Sequence, residues 1–289
     1  MNSIKNVMLV ATKKLEEHGI ENPSFEAGLL LSYVLKCDRL YLHTHSEQKV
    51  DTNAMDMFNV LVRKRCKKCP YAYLVKNKEF MGLNFYVDKN VLIPRDDTEI
   101  VCKTVIDYCN ENLDKHLKIH DLCCGSGTIG ISVANFTTNT TVTMSDISMN
   151  AIEVASRNAK SILGECANSR IKLSCSNLFD SIYVDKFDVI VSNPPYIGDD
   201  EFEELDPTVK NYEPSLALRA EAGGLDFYVK IAERATQFLK DGGLIVLEIG
   251  AKQAGKVRLL LEGAGFYRIE VLRDLSGKNR CIKGIKLWG

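Results

Sequence analysis

The sequence predicts an α/β protein with a mainly parallel, doubly wound sheet and a smaller helical region ahead of it. Three observations support this. After Pro94, apolar runs of strand length alternate with longer helical patterns. A glycine-rich segment, Gly125 to Gly130, follows the first of those strands. Residues 1–75 carry helical spacing instead.

Taking the elements in order, Asn22-Pro23 marks a helix start, with a capping side chain and a proline at the first helical position. Phe25, Leu29 and Tyr33 recur every four residues and predict one apolar face. Val60 and Leu61, followed by a basic run, predict another helix that stops before Pro70. A two-stranded element is expected from Glu79 to Val87, turning near Gly82. A helix over 97–112 then leads into strands at 118–122, 140–145, 171–174, 187–192 and 243–249. Helices are expected from 127 and over 150–163, 225–239 and 252–263. Strands near 266–273 and 280–287 have no helix between them and predict one antiparallel strand at a sheet edge.

A chain of 289 residues can bury one large core and one smaller core. Its 45% hydrophobic and 26% charged content is ordinary for a soluble protein. No apolar run approaches about 18 residues, so no membrane span is expected. The N-terminus lacks the pattern of a secretion signal. Ten cysteines at irregular spacings then read as reduced thiols of a cytoplasmic protein. Cys66 and Cys69 form a C-x-x-C pair with no second ligand pair nearby, so no metal site is expected. A net charge of -1 speaks against a dedicated nucleic-acid binder. Arg63, Lys64, Arg65, Lys67 and Lys68 read as a solvated helix end, with contact to RNA or an acidic partner as the alternative.

Ligands of open α/β sheets bind beyond the carboxyl ends of the strands, and three signals fall there. The first is Asp121-Leu-Cys-Cys-Gly125-Ser-Gly127-Thr-Ile-Gly130, whose glycines let the backbone turn tightly and approach a ligand. This loop fits both a nicotinamide dinucleotide and S-adenosylmethionine. The second is Asp146, whose carboxylate can accept two ribose hydroxyls or cap the next helix.

The third separates the cofactors. A buried strand, Phe187 to Ser192, runs into Asn193-Pro194-Pro195-Tyr196. The prolines stiffen the turn and remove two N–H donors, leaving the Pro194 carbonyl free to accept. Asn193 adds an acceptor oxygen and an NH2 donor, and Tyr196 adds a flat ring. Two acceptors can hold the hydrogens of a planar NH2 group and aim its nitrogen at an electrophilic methyl group, through orientation rather than a strong base. The acidic segment Asp199 to Asp206 would repel a phosphate backbone.

With these residues in view, the chain resembles the HemK/PrmC family, protein-(glutamine-N5) methyltransferases of peptide-chain release factors, over essentially its whole length. The matching segments are Leu92-Ile-Pro-Arg95-Asp-Asp-Thr98-Glu99, the glycine loop, Ser192-Asn-Pro-Pro-Tyr196, Glu213-Pro214-Ser-Leu-Ala-Leu218, Gly223-Gly-Leu-Asp-Phe-Tyr228 and Leu247-Glu-Ile-Gly250. The Asn-Pro-Pro-Tyr motif is shared with nucleic-acid amino methyltransferases, whereas the Ile-Pro-Arg segment is more particular to this family.

The resemblance implies a class I methyltransferase domain over 93–289, with a seven-stranded sheet containing one antiparallel strand. It also implies a helical substrate-recognition domain over 1–75 and a β-hairpin linker over 76–92. S-adenosyl-L-methionine would be bound by Asp121, Cys123, Cys124, Gly125, Ser126, Gly127, Asp146, Asn177, Leu178 and Asn193. Asn193, Pro194, Pro195 and Tyr196 would bind the glutamine of a Gly-Gly-Gln loop in a class 1 release factor, with Asn193, Pro194 and Tyr196 serving catalysis. Arg95, Thr98 and Glu99 would support the site, with Glu99 fixing Arg95 by a charge-assisted hydrogen bond. A monomer is expected. The chain departs from the family at Cys123, where glycine is usual, and at Asp96, where proline is frequent. The rival readings are glutamine methylation of a ribosomal protein, methylation of a base amino group, a nicotinamide-dependent dehydrogenase and a non-catalytic adaptor.

Overall fold

The computed structural model describes residues 2–181 and 186–288. The chain divides into two compact units. The first comprises Met1–Lys76 together with Asp206–Tyr212, and the second comprises Asn77–Leu205 with Glu213–Gly289.

The first unit is helical: α1 (Ile4–Glu17), α2 (Pro23–Leu35), α3 (Arg39–Thr44), α4 (Thr52–Cys66) and α5 (Tyr71–Val75). Asp38 and Asp51 cap α3 and α4 through the backbone N–H groups of Tyr41 and Ala54, at 2.7 and 3.0 Å. The core gathers Leu15, Leu30, Leu31 and Phe58. On α2 the buried face is Ala27, Leu30, Leu31 and Val34, whereas Phe25 and Tyr33 are 47% and 44% exposed. The expected Phe25–Leu29–Tyr33 face is therefore the outer one. Asn22 takes a left-handed backbone and makes no side-chain cap, although Pro23 does open the helix. The clash between a proline ring and the preceding residue disfavours the right-handed helical region there, and asparagine tolerates the left-handed one.

Arg65 is not part of a solvated helix end. Its guanidinium makes a two-point contact with Glu26 at 2.8 and 2.9 Å, with both side chains largely buried. The late segment Asp206–Tyr212 joins this unit, and the Tyr212 hydroxyl donates to the Lys67 carbonyl.

The second unit opens with a hairpin, β1 (Lys78–Phe80) and β2 (Leu83–Phe85), turning at Gly82 with φ +77°. After a single 3-10 turn come α6 (Glu99–Asn110), β3 (Leu117–Leu122), α7 (Thr128–Phe136), β4 (Thr140–Asp146), α8 (Met149–Leu163), β5 (Ile171–Cys175) and β6 (Phe187–Ser192). The chain then forms short helical turns, followed by α9 (Asp226–Phe238), β7 (Leu239–Glu248), α10 (Ala254–Gly263), β8 (Phe266–Arg273) and β9 (Asn279–Lys286).

The seven strands of the main sheet run β5-β4-β3-β6-β7-β9-β8. Those from β5 to β7 are parallel, and β9 is antiparallel to both neighbours. The antiparallel strand is thus the penultimate one rather than the edge. A tight turn forces β8 and β9 antiparallel, and β9 inserts beside β7, leaving β8 outermost. The Asp274 carboxylate tightens that turn by accepting the Ser276 and Lys278 N–H groups, both at 2.9 Å.

Side chains alternate across the sheet. Val189 and Val191 enter one apolar cluster with Ile119 and Ile131, while Ile190 enters the other with Ile245 and Tyr228. Strand order reverses between β3 and β6, so a crevice opens beyond their carboxyl ends. There the Ser192 hydroxyl donates to the Leu122 carbonyl at 2.7 Å and holds the two strand ends together.

Candidate active site

A cleft open to solvent at its mouth sits at these strand ends, with about 1090 Å³ of empty space when the solvent at the mouth is counted. The loop after β3 forms its floor. Cys123, Gly125 and Gly127 have φ of +55°, +54° and +79°. That left-handed region suits glycine and is costly for cysteine. Burial pushes both the Cys123 and Cys124 thiols well up, which makes them inert packing groups rather than nucleophiles.

The loop is braced from three sides. A side-chain oxygen of Asp121 accepts the Gly130 N–H at 2.8 Å from beneath, and its other oxygen is buried without a partner. A Cβ at Gly130 would lie 2.6 Å from the Met144 sulfur, so glycine allows α7 to pack closely on β4. Asn158, on α8, donates to the Ser126 and Tyr86 carbonyls at 2.9 and 3.0 Å and accepts the Tyr86 N–H at 2.8 Å. This single buried amide joins the end of the hairpin to the glycine loop.

Asp146 lies at the end of β4 and lines the cleft. One of its oxygens accepts the Gly125 N–H and the other the Ser148 N–H, each at 2.9 Å. The cap of α8 is Ser148, whose hydroxyl accepts the Ala151 N–H at 3.3 Å. Asp146 is therefore released from a capping role, and each oxygen keeps a lone pair for a ligand. Ile147, Leu178 and Ile129 add apolar lining, and Ile147 is 52% exposed. Asn177 lines the same region, whereas Phe179 stacks on Phe238 inside the core.

The opposite wall is the turn after β6. Asn193 and Pro195 line the cleft, while Pro194 is buried behind them. The Tyr196 side chain is directed away from the lining. Its hydroxyl donates to Glu248 at 3.3 Å and accepts from Arg280 at 3.4 Å. The Tyr196 carbonyl accepts from the Gln253 side chain at 3.0 Å. Gly224, at φ +84°, packs so tightly here that a Cβ would lie 2.2 Å from that carbonyl oxygen.

Arg95 and Thr98 also line the cleft. Arg95 pairs with Glu213 at 2.5 Å, and Glu213 also accepts the Ile93 N–H at 3.1 Å. The expected partner, Glu99, instead holds Lys103 at 2.8 Å one helical turn on. Glu99 lies only four residues from Arg95 in sequence, beyond Asp96 and Asp97; the real partner arrives from 118 residues away. The Thr98 hydroxyl donates to Glu248 at 2.6 Å. Glu248 is 2% exposed, and burial pushes its carboxyl up to about 7. Five of the expected residues, Asp121, Gly127, Pro194, Tyr196 and Glu99, thus stand outside the lining.

The sequence reading assigned no role to Asn158, Glu213, Glu248, Gln253 or Arg280. Glu248 did leave a signal: it is the single acid in the apolar run Leu244 to Ile249, and a carboxylate in a buried strand needs partners.

Comparison with known proteins places this geometry in a family. Residues 7–75 match the PrmC N-terminal domain, and residues 98–206 match the methyltransferase small domain. A release factor glutamine methyltransferase of Clostridium acetobutylicum is 39% identical over 98% of both chains. The chain belongs to the release factor glutamine methyltransferase family. A second family member, from Clostridium botulinum, is 38% identical over 98% of this chain and 99% of its own. The bifunctional methyltransferase of Rickettsia conorii is 38% identical, and the match spans 57% of that longer protein. A Pyrococcus furiosus methyltransferase structure superposes with a TM-score of 0.51 at 17% identity, covering 82% of this chain and 100% of that one, which shows the shared fold.

The methyl donor of this family is S-adenosylmethionine, and the residues present fit it. Asp146 offers lone pairs at the end of β4, as ribose hydroxyls require. The exposed side chain of Ile147 with Leu178 offers an apolar seat for a purine. Among the described residues no cluster of His, Cys, Asp or Glu is arranged to hold a metal, and no helix is long and apolar enough to cross a membrane.

Proposed function

We propose that the protein methylates the side-chain amide nitrogen of the glutamine in the Gly-Gly-Gln loop of class 1 peptide-chain release factors, in the cytoplasm. One observation carries this reading: Asn193 and Pro195 share a single cleft with Asp146 and the Cys123–Ser126 loop. A nitrogen bound at one wall thus faces a donor bound at the other. The donor supplies a methyl group bonded to a positively charged sulfur.

The chain's own residues do the rest. An amide nitrogen is a poor nucleophile because its lone pair is delocalised. The side-chain oxygen of Asn193, which lines the cleft, accepts from the glutamine NH2 group and turns the lone pair toward the donor wall. No side-chain base is needed to begin the transfer; the one proton that the nitrogen loses as the N–C bond forms passes to solvent through the open mouth of the cleft, since the Cys123 and Cys124 thiols stay protonated. The buried turn excludes water that would otherwise compete for those hydrogens. Asp146 and the glycine loop hold the donor; Arg95, fixed by Glu213, supports the rim. The first unit grips the body of the release factor, a role supported by the match of residues 7–75 to the PrmC N-terminal domain.

The test is methyl transfer from labelled S-adenosylmethionine to purified release factor, with peptide mass spectrometry to locate the mark. The expected result is one methyl on the Gly-Gly-Gln glutamine, with kcat reduced roughly 10²–10³-fold in Asn193→Ala. Transfer to a ribosomal protein or to nucleic acid, with none to release factor, would overturn the substrate.

A further inference from the structure

Glu248 ends β7 in a run whose other members are apolar. One carboxylate oxygen accepts the Thr98 hydroxyl at 2.6 Å, and the other accepts the Tyr196 hydroxyl at 3.3 Å. Thr98 lines the cleft beside Arg95, whereas Tyr196 closes the Asn193–Pro195 turn on the other wall. Thus one buried acid joins two segments that lie 98 residues apart in sequence, counting from 98 to 196.

The far side of Tyr196 is fixed as firmly. Arg280 donates to the Tyr196 hydroxyl at 3.4 Å and is itself held by Asp97 at 3.0 Å and Asp274 at 3.3 Å. The sheet ladder sets this placement, because Glu248 pairs with Cys281 and the Ile249 N–H donates to the Arg280 carbonyl at 2.8 Å. The hydroxyl of Tyr196 therefore donates a hydrogen bond to Glu248 and accepts one from Arg280, which leaves its ring a single orientation. Stability alone does not account for an acid at this position, since a well-packed apolar side chain at a buried strand end is often equal or better.

We propose that Glu248 is a positioning residue for methyl transfer, setting the Asn193–Pro195 turn through Tyr196 and the Arg95 wall through Thr98. It touches neither substrate nor donor, and its effect reaches the reaction only through those two hydroxyls. The inference rests on the methyltransferase reading above. Small displacements of an orienting group are costly in the reacting state and cheap in the bound state. Loss of Glu248 should therefore lower kcat more than it raises KM.

The experiment is steady-state methyl transfer to purified release factor by the full chain and by Glu248→Gln, Tyr196→Phe, Thr98→Val and their pairs, with thermal unfolding of each. Glu248→Gln is expected to lower kcat roughly 10–100-fold, with a smaller change in KM. Added to Tyr196→Phe, it should cost much less than it does alone, because the two act through one bond. A purely structural role would instead give multiplicative losses that follow the unfolding temperature. Should Glu248→Gln fail to fold, Tyr196→Phe with Thr98→Val gives the same answer. Their hydroxyls bond to the same carboxylate, so coupling in kcat must pass through Glu248. Wild-type kcat in Glu248→Gln, or independent losses in every pair, would overturn the proposal. Absence of transfer by the unaltered chain would instead overturn the function itself.

Discussion

At the scale of single residues, the buried carboxylates carry the clearest consequence. Asp121 is 1% exposed, and burial, helped slightly by Asp146 nearby, pushes its carboxyl up to about 7 against the hydrogen bond from Gly130. A carboxyl whose pKa is higher folded than unfolded favours the folded state while protonated, and this advantage is lost as pH rises from the ordinary range through the folded value. The window is therefore about pH 4 to 7. Asp121→Asn keeps an acceptor for Gly130 and removes the buried charge. It is expected to be more stable than the parent at pH 8 by about 1–3 kcal/mol, with the gap shrinking toward pH 5. Urea unfolding at both pH values measures this, and a gap that widened toward pH 5 would contradict it. The residues that sequence could place, Asp146 and Asn193, are those whose position at a strand end defines their role. Glu213 and Asn158 could not be placed, since each works on backbone or side chains brought in from 32 to 120 residues away.

At the scale of elements, the strands were legible because a parallel sheet buried on both faces writes continuous apolar runs, as in Leu244 to Leu247. The inner face of α2 was not legible. Its sequence is apolar on most sides, so Phe25–Leu29–Tyr33 and Ala27–Leu30–Leu31–Val34 satisfy the same periodicity, and only packing against α1 and α4 selects between them. Nor did sequence show how short turns carry the site. The segment Glu221–Gly224 has positive φ at Ala222, Gly223 and Gly224, and brings Gly224 against the Tyr196 carbonyl. A methyl group at Gly224 must displace both that carbonyl and the Gln253 side chain. Gly224→Ala is expected to cost about 2–4 kcal/mol and to lower kcat roughly 10²-fold by shifting the turn that bears Asn193. Differential scanning calorimetry and the methyl-transfer assay read the two effects. Unchanged kcat in a folded variant would show that the turn tolerates displacement.

At the scale of the whole molecule, the division into units does not follow the order of the chain. Asp206–Tyr212 is carried between β6 and α9 of the second unit yet belongs to the first. There the Tyr212 hydroxyl donates to the Lys67 carbonyl at the end of α4. A sequence reading that cuts the chain at residue 75 misses this, because a seven-residue segment has no periodicity of its own to reveal its partner. The second unit has its own sheet and two apolar clusters, so a chain beginning at residue 77 should still unfold cooperatively. Without the first unit, Asp206–Tyr212 loses its packing, and its amides should exchange faster with deuterium than in the full chain. The KM for release factor should rise by roughly tenfold or more, while the dissociation constant for S-adenosylmethionine stays within about twofold, since every residue lining the cleft lies in the second unit. Hydrogen exchange, steady-state kinetics and calorimetric titration of the cofactor separate these effects. An unchanged KM for release factor would remove the first unit from substrate recognition. Weakened cofactor binding would mean that the cleft depends on the first unit for its shape.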